Sequence, residues 1–297
     1  MNGDYESLFF DKVTKKCKKV IIIALDGIGL FFKKTNTPNL DKFFALGASS
    51  LNVKTIMPSD SAEFNITVAS FAAWEPFNNL IKETIPAHVY APMKNESELH
   101  KCELNSRYNN KNSCFHKDVV NKVNKFIRGC ESNETKFLSI HLTNCDECGH
   151  NYGYGTNHYL QQIQYLDKQI GIIMCVIKEK GWIEDSLVIM TTDHDGLNKT
   201  NDDGNTYDVH GGNSEDEMNV FLSACGSGIL AASKIKENLS NLVCAPIALS
   251  ALGIENCLFA SPQVEDKLDQ WLTLLPDEEI ELEMINNFYM ISIGLLC

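Results

Sequence analysis

The chain has 297 residues, with 26 Lys and Arg against 39 Asp and Glu, and therefore a formal net charge of −13 at pH 7. Hydrophobic residues make up 44% and charged residues 22% of the chain, which is an ordinary globular composition and excludes a disordered or collagen-like protein. The negative charge argues against a polymeric nucleic-acid partner, because proteins hold a polyphosphate backbone through clustered Lys and Arg.

From the sequence we expect neither a targeting nor an anchoring segment. Residues 1–19 alternate polar and charged side chains and lack the apolar core of a signal peptide. No uncharged apolar run reaches the ~18 to 20 residues that a membrane span needs, so we expect no span. The 11 cysteines are irregularly spaced and are expected to stay reduced without a secretion signal. Together these features predict a cytoplasmic protein.

Three continuous apolar runs, rich in β-branched residues, predict strands that are covered on both faces of a parallel sheet. The runs and the polar groups that follow them are 19–25 with Asp26, 137–142 with Asp146, and 186–190 with Asp193 and His194. Because ligands bind outside the carboxyl ends of strands in open α/β sheets, we expect these groups to converge on one site.

Helical patterns occupy the segments between the strands, as α/β alternation requires. The segments 37–47 and 158–177 carry apolar residues at spacings of three and four and predict crossover helices. The first begins with Thr37 as the expected cap and Pro38 in the first turn. The predicted fold class is therefore α/β, with a central, mostly parallel sheet and helices on both faces.

We assign residues 1–297 to a single catalytic domain. Within it, the weakly periodic segment 93–128 is rich in Lys, Asn, Glu and Ser and predicts a small cap insertion with surface helices. The last residues, 277–297, predict a C-terminal tail or helix. Neither a Gly-rich dinucleotide fingerprint nor a P-loop occurs, which excludes nucleotide binding by those two routes.

Carboxylates and imidazoles recur at the predicted strand ends in a pattern typical of a metal site. The segments concerned are Asp26 alone, DECGH at 146–150, Asp193 with His194, and HGG at 210–212. Each group alone has an ordinary alternative, such as an Asp that caps a helix. Together they form a set that would be costly to bury without a cation. Mixed oxygen and nitrogen ligands suit Zn²⁺ or Mn²⁺ better than Ca²⁺.

Two other features were candidates for chemistry. Cys145 and Cys148 have a zinc-like spacing, but no second Cys pair matches it, which disfavours a structural Cys₄ site. The segment 56–70 predicts a loop leading into a helix, where a serine hydroxyl can be activated by a metal. Its Ser59, Asp60 or Ser61 can equally be a simple helix cap.

In their order along the chain, these pieces resemble the alkaline phosphatase superfamily. Within it they are similar to the type I phosphodiesterase and nucleotide pyrophosphatase branch and to the phosphoethanolamine transferases of glycolipid-anchor synthesis. The matching strings are ALDG at 24–27, TPNLD at 37–41, MPSDS at 57–61, DECGH at 146–150, TDH at 192–194 and HGG at 210–212. The resemblance implies an alkaline phosphatase-like fold with two divalent ions, Zn²⁺ by preference and Mn²⁺ as the alternative.

The resemblance also implies the role of each residue. One ion would be held by Asp146, His150 and His210, and the other by Asp26, Asp193, His194 and the nucleophilic hydroxyl of Ser61. Ser59 is the second candidate for the nucleophile. Asn65 and Asn79 are the candidate substrate-binding residues, and Asn65 stands where the family usually has a His. Another departure is Asp195, which separates His194 from Gly196 where the family has Asp-His-Gly.

By this resemblance the protein is a two-metal phosphohydrolase that cleaves a phosphodiester or pyrophosphate bond of a small molecule or nucleotide. The site would be near neutral with both ions bound, and the two arginines, Arg107 and Arg128, lie near no motif. This favours a monoanionic diester over a monoester, with Lys54 or Lys82 as candidates for cationic help. The alternatives are a phosphoethanolamine transferase acting on a lipid or glycan, and a non-catalytic metal-binding member. The oligomeric state is left open.

Overall fold

The computed structural model describes residues 17–55, 68–72, 111–129, 131–133, 135–200, 206–210, 214–229, 231–234 and 239–252. The single domain over 1–297 and the tail over 277–297 extend outside these residues and stay predictions. None of the helices in the described ranges has both the length and the apolar character needed to cross a bilayer.

A mixed sheet forms the centre of the fold. Its described strands are β1 (Lys19–Leu25), β2 (Ala48–Lys54), β3 (Val68–Ala72), β4 (Phe137–Leu142), β5 (Ser186–Thr192), β8 (Asn219–Gly226), β9 (Ser233–Lys234) and β10 (Leu239–Ser240). They run in the order β10-β2-β8-β5-β1-β4-β3, with β9 beside β2. Only β8 pairs antiparallel to its neighbours among these strands, which confirms the predicted mostly parallel sheet.

The three strands that the sequence predicted are the buried middle of the sheet. Every residue of β1, β4 and β5 is buried, which explains why apolar residues occur at successive positions of these strands rather than only at alternate ones. The strands also end in register, because Leu25 of β1 pairs with Leu142 of β4 and with Thr192 of β5. The residues that follow these three positions therefore start from one edge of the sheet.

Helices cover both faces of the sheet, as predicted. The helices are α1 (Pro38–Leu46), α2 (Lys111–Arg128), α3 (Asn144–Tyr152), α4 (Asn157–Glu179), the single turn α5 (Glu215–Met218) and α6 (Cys244–Leu252). On one face, Ile21, Ile23 and Leu25 form a core with side chains of α1, α2 and α4. On the other face, Ile22 and Ala24 pack with side chains of α6. The alternation of β1 residues between two apolar cores follows from the two-residue period of a strand.

The helix α2 differs from the expected cap with surface helices over 93–128. Its buried side chains, Val119, Val120, Val123, Phe126 and Ile127, belong to the main core. The remaining positions of the helix carry Lys, Asn and His, so its overall composition is polar. An amphipathic helix nevertheless packs on a core with its single apolar side. Residues 93–110 lie outside the described residues.

The start of α1 is held by a carboxylate from another helix. Thr37 makes no side-chain capping bond, contrary to the expected role. Instead, the Asp167 carboxylate of α4 accepts a hydrogen bond from the backbone N–H of Leu40 at 2.8 Å. It also accepts hydrogen bonds from the backbone N–H and the side-chain amide of Asn39. Asp167 is buried, so this contact satisfies orphan helix donors and also fixes α1 against α4.

A short hairpin brings the last predicted ligand back to the sheet edge. Strands β6 (Leu197–Thr200) and β7 (Thr206–Val209) pair antiparallel, and Leu197 lies opposite Val209. Because the hairpin begins just after His194 and ends just before His210, its closed base places these two histidines side by side.

Replacing Asp167 by Ala should lower the free energy of unfolding by about 2–3 kcal/mol, because buried donors at the start of α1 lose their acceptor. Denaturant unfolding followed by circular dichroism measures this change. The exposed Asp41 lies in the same first turn and makes a matched control, whose replacement by Ala should change stability by less than about 0.5 kcal/mol. Equal effects of the two substitutions would contradict the assigned role of Asp167.

Candidate metal centre

Six of the seven predicted metal ligands, all except Ser61, lie together at the carboxyl edge of the sheet. Asp26 follows β1, Asp146 lies in the first turn of α3 directly after β4, and Asp193 follows β5. The in-register ends of these strands explain why residues so distant in sequence meet. Backbone contact reinforces the junction, because the Asp146 N–H donates to the Asp26 carbonyl at 3.2 Å.

The first group of ligand atoms comes from Asp146, His150 and His210. His150 lies one helical turn after Asp146 on α3, and its Nε2 is 3.3 Å from Asp146 Oδ2. Nε2 of His210 lies 3.0 Å from Nε2 of His150 and 3.7 Å from Asp146 Oδ1. Two ligands of a tetrahedral Zn²⁺ with bonds of about 2.0–2.1 Å are about 3.3 Å apart. The two imidazole nitrogens and one carboxylate oxygen of Asp146 therefore fit around one ion.

The second group comes from Asp26, Asp193 and His194. Nε2 of His194 lies 3.5 Å from Asp26 Oδ1 and 3.8 Å from Asp193 Oδ2. The other oxygen of Asp193 accepts hydrogen bonds from the N–H groups of Gly27 at 3.0 Å and His194 at 2.7 Å. Because Oδ1 of Asp193 accepts these two hydrogen bonds, Oδ2 is the oxygen that faces Nε2 of His194, close to Asp26.

The two groups adjoin each other through Asp146 and two stacked rings. Oδ1 of Asp146 is 3.8 Å from Nε2 of His194, so Asp26, Asp146 and His194 also form a set of close ligand atoms. The rings of His194 and His210 stack with centroids 3.9 Å apart and planes 9° from parallel. The geometry therefore provides two neighbouring ligand groups, as a two-metal site requires.

Electrostatics distinguish the two buried carboxylates of the second group. Burial raises the pKa of Asp26 well above its usual value, and the negative charges of Asp193 and Asp146 add to the shift. For Asp193, burial also acts to raise the pKa, but the charge of His194 and hydrogen bonds with Asp26 and Gly27 bring the pKa below its usual value. A proton on Asp26 thus relieves repulsion that a bound cation would relieve more fully.

Neighbouring groups hold the ligands in place. The Tyr154 hydroxyl donates to Asp146 Oδ1 at 2.5 Å. A Cβ at Gly149 or Gly196 would approach the Tyr154 ring to 2.4 Å or 2.3 Å, so the ring lies between two positions that need glycine. Nδ1 of His194 lies 3.0 Å from the Asp195 carbonyl. Because a carbonyl only accepts, Nδ1 carries a proton, and Nε2 can offer its lone pair to a metal once its own proton is lost.

The donor set fits the divalent ions that the sequence implied. Three carboxylates and three imidazoles with adjacent lone pairs suit Zn²⁺ or Mn²⁺, and the carboxylates would repel one another without a cation. Residues Asp146, His150 and His210 would hold one ion, and Asp26, Asp193 and His194 the other. That these side chains bind metal stays a prediction, which rests on how close their ligand atoms lie to one another.

Several predicted site residues lie outside the described part of the chain. These are Ser59, Ser61, Asn65 and Asn79. Cys145 and Cys148 are described, and both thiols are buried in the main core beneath the site. Burial raises the pKa of Cys148 to about 12, with a smaller contribution from Glu147, so it stays a protonated core thiol. This environment favours the packing role over a zinc-binding one.

Sequence analysis missed two groups beside the site. His141 of β4 is buried with Nε2 at 3.4 Å from Asp26 Oδ2. Burial lowers the pKa of His141, so its ring is neutral. Asp195 accepts hydrogen bonds from Leu30 and Gly196, while burial raises its pKa to about 7. A His inside an apolar strand was the available signal for the first, and the extra residue before Gly196 for the second.

A family model described as "Type I phosphodiesterase / nucleotide pyrophosphatase" matches residues 62–236, more than half of the chain. The chain belongs to this family. The match includes five of these six ligand residues, from Asp146 to His210, and confirms the resemblance drawn from the sequence motifs.

Solved structures with the same fold come from several kinds of protein. A Vibrio parahaemolyticus alkaline phosphatase superfamily protein is 15% identical, with 84% of this chain and 74% of that chain covered and a TM-score of 0.53. The lipoteichoic acid synthase LtaP from Listeria monocytogenes is 13% identical, with 83% and 74% covered and a TM-score of 0.53.

Murine ectonucleotide pyrophosphatase / phosphodiesterase 5, as an inactive variant in complex with AMP, is 11% identical over 91% of this chain and 99% of that chain, with a TM-score of 0.53. Another structure of this murine protein is 12% identical and has a TM-score of 0.44. The match covers 62% of this chain and 59% of the murine chain. At 11–15% identity, the three structures with a TM-score of 0.53 show the alkaline phosphatase-like fold and no more.

Replacing His210 by Ala should reduce the bound divalent metal from two ions to about one per chain, because the first group loses one of its three side chains. Inductively coupled plasma mass spectrometry after dialysis against Zn²⁺ measures the content. The matched control is His158→Ala, an exposed histidine on α4 that belongs to no ligand group. Unchanged metal content in His210→Ala would contradict the first group.

Proposed function

We propose that the protein is a two-metal phosphohydrolase that cleaves a phosphodiester or pyrophosphate bond of a small anionic molecule or nucleotide. The observation that carries this proposal is the pair of adjoining ligand groups at one sheet edge, centred on Asp146 and Asp26. The membership of the chain in the phosphodiesterase family supports the same reaction class. A cytoplasmic location belongs to the proposal as well and rests on the sequence alone.

A pair of divalent ions at these groups would polarise the phosphoryl oxygens, lower the pKa of the nucleophile and neutralise charge on the leaving oxygen. The chain's own residues provide the orientation for this chemistry. Tyr154 and the Asp195 carbonyl fix Asp146 and His194, while the Gly27 and His194 N–H groups fix Asp193. The rigid core strands beneath them keep the ligand atoms at constant separation.

In this proposal, Ser61 supplies the attacking oxygen. Its Oγ loses a proton and forms a bond to phosphorus as the bond from phosphorus to the leaving oxygen breaks, which gives a phosphoryl-serine ester. The leaving oxygen takes up the proton that Ser61 lost. Water then attacks the same phosphorus and the bond from phosphorus to Oγ breaks, while a proton of that water passes to Oγ and regenerates Ser61. Position 61 follows the described strand β2 by seven residues, a distance that the chain can span to the sheet edge.

A cavity beside the metal centre has the character of a site for an anionic group. It has a volume of about 600 Å³ and shares Tyr154, Asp195 and Gly196 with the surroundings of the ligands. Its other lining residues are Leu30, Phe31, Lys33, Lys34, Gly155, Leu197, Asn198 and Asn219. This volume lies within the range of about 300–1,000 Å³ that small-molecule sites occupy.

The lining is positive although the chain as a whole is negative. Lys33 and Lys34 outnumber the single carboxylate of Asp195 among the lining residues. Lys54, which the sequence offered as cationic help, donates to the Asn219 side chain at 2.6 Å and brings a third ammonium group next to the cavity. In a chain with a net charge of −13, such a concentration of lysines favours a substrate with a negative charge beyond the scissile phosphate.

The phosphoethanolamine transferase and the non-catalytic binding protein remain the rival functions. Release of p-nitrophenol from bis(p-nitrophenyl) phosphate without an added alcohol supports hydrolysis. A protein that cleaves only when an alcohol acceptor is present would be a transferase. A protein that binds two metal ions but cleaves no phosphate ester would be the non-catalytic member.

Replacing Ser61 by Ala should lower kcat/KM for bis(p-nitrophenyl) phosphate by at least about 10³-fold, because the nucleophile is lost. Circular dichroism and metal content should show that the fold persists. Ser59→Ala is the matched variant and should keep most of the activity. The opposite ranking, with Ser61→Ala active and Ser59→Ala inactive, would move the nucleophile to Ser59.

Replacing both Lys33 and Lys34 by Ala should raise KM about tenfold for a dinucleoside polyphosphate, which is about 1.4 kcal/mol of lost binding. The same variant should leave KM for bis(p-nitrophenyl) phosphate nearly unchanged, since that diester carries a single negative charge. Lys42→Ala, an exposed lysine on α1 away from the cavity lining, is the control. Equal KM changes for both substrates would reject the cavity as an anion site.

A further inference from the structure

The buried histidine of β4 is a group that the proposed reaction leaves unused. His141 pairs in register with Ala24 of β1, two residues before Asp26, and only 4% of its side chain is exposed. Its side chain is more deeply buried than that of Asp26, which is 15% exposed. Neither the sequence motifs nor the family match assigns it a role.

The carboxylate of Asp26 lies between two imidazoles. One oxygen, Oδ1, is 3.5 Å from Nε2 of His194, which belongs to the second ligand group. The other oxygen, Oδ2, is 3.4 Å from Nε2 of His141. Each oxygen thus faces a different ring. The His194 side forms a set of close ligand atoms with Asp146, and the His141 side forms one with Asp193.

This arrangement divides the work between the two oxygens. When one oxygen of a buried carboxylate contacts a metal, the other oxygen also needs a partner. Leaving it unpaired in a buried site costs free energy. Ligating carboxylates are commonly held by a hydrogen bond to their free oxygen, and such outer contacts fix the orientation of the ligand. Nε2 of His141 lies at a contact distance of 3.4 Å from Oδ2 and does not have the alignment of a formed hydrogen bond. With its proton on Nε2, the imidazole can become the required donor when Oδ1 binds a metal.

We propose that His141 is a positioning residue for Asp26, whose Oδ2 it holds so that Oδ1 faces the metal bound with His194 and Asp193. The inference rests on the proposed function only in taking Asp26 as a metal ligand. It adds a contact from the floor of the site, in the same way that Tyr154 acts on Asp146 from the side.

The experiment measures metal affinity rather than turnover. Co²⁺ is titrated into the metal-free full chain and followed by its visible absorption, with a competing chelator to reach tight affinities. The variants are His141→Gln, which keeps an N–H donor, and His141→Leu and His141→Met, which remove it. The matched control is Ser139→Ala, a buried residue two positions earlier on the same face of β4.

The proposal predicts that the apolar variants weaken one of the two Co²⁺ sites by about 10- to 100-fold and alter its absorption spectrum. The other site should keep its affinity, His141→Gln should remain within about threefold of the native chain, and Ser139→Ala should match the native chain. Repeating the titration in a His150→Ala background, which disables the first group, should assign the weakened site to Asp26.

Two results would overturn the proposal. Native affinity in both apolar variants would show that His141 does not support Asp26. An equal loss in His141→Gln and the apolar variants, with the spectrum changed alike, would make the imidazole itself a ligand rather than a hydrogen-bond donor. A native chain that binds no divalent ion would instead defeat the proposed two-metal function, so failure of the function and failure of the inference are distinguishable.

Discussion

Repulsion among three carboxylates at one edge of the sheet is the constraint on which the site depends. Asp26, Asp146 and Asp193 meet there because β1, β4 and β5 end in register. The sheet leaves them no freedom to separate, since every residue of these strands is buried. Protonation of Asp26 relieves part of the repulsion, and divalent cations would relieve more, which couples the fold of the edge to metal binding.

The groups around the carboxylates all act to fix directions rather than to add charge. The hydroxyl of Tyr154 holds Asp146, and the Asp195 carbonyl sets the tautomer of His194. Glycines at 149 and 196 admit the Tyr154 ring, so even small substitutions there would displace a ligand. In a two-metal phosphohydrolase such fixed directions matter more than extra cationic residues, because the ions provide the positive charge.

Sequence patterns predicted the buried strands and the Asp and His side chains that meet at their ends, because both depend on local signals. A continuous apolar run followed by Asp or His is visible in a single segment of 19–26 or 186–194, and the parallel sheet then brings such segments together. The same local view also predicted helices on both faces.

Contacts between segments far apart in the chain could not be predicted from such local patterns. Thr37 has the composition of a cap, yet Asp167, far along the chain, takes the role because α4 packs across the start of α1. The polar composition of 93–128 hid the apolar stripe of α2, which only packing on the sheet reveals. His141 was not singled out from the sequence, because its relation to Asp26 depends on the pairing of β1 with β4.

The most direct test of the central claim is anomalous X-ray diffraction at the zinc edge from crystals of the full chain grown with Zn²⁺. The account predicts two anomalous peaks about 3.5–4 Å apart, one bound by Asp146, His150 and His210 and the other by Asp26, Asp193 and His194. A map without peaks at these side chains, or with a single ion that leaves Asp26 and Asp193 uncoordinated, would contradict it.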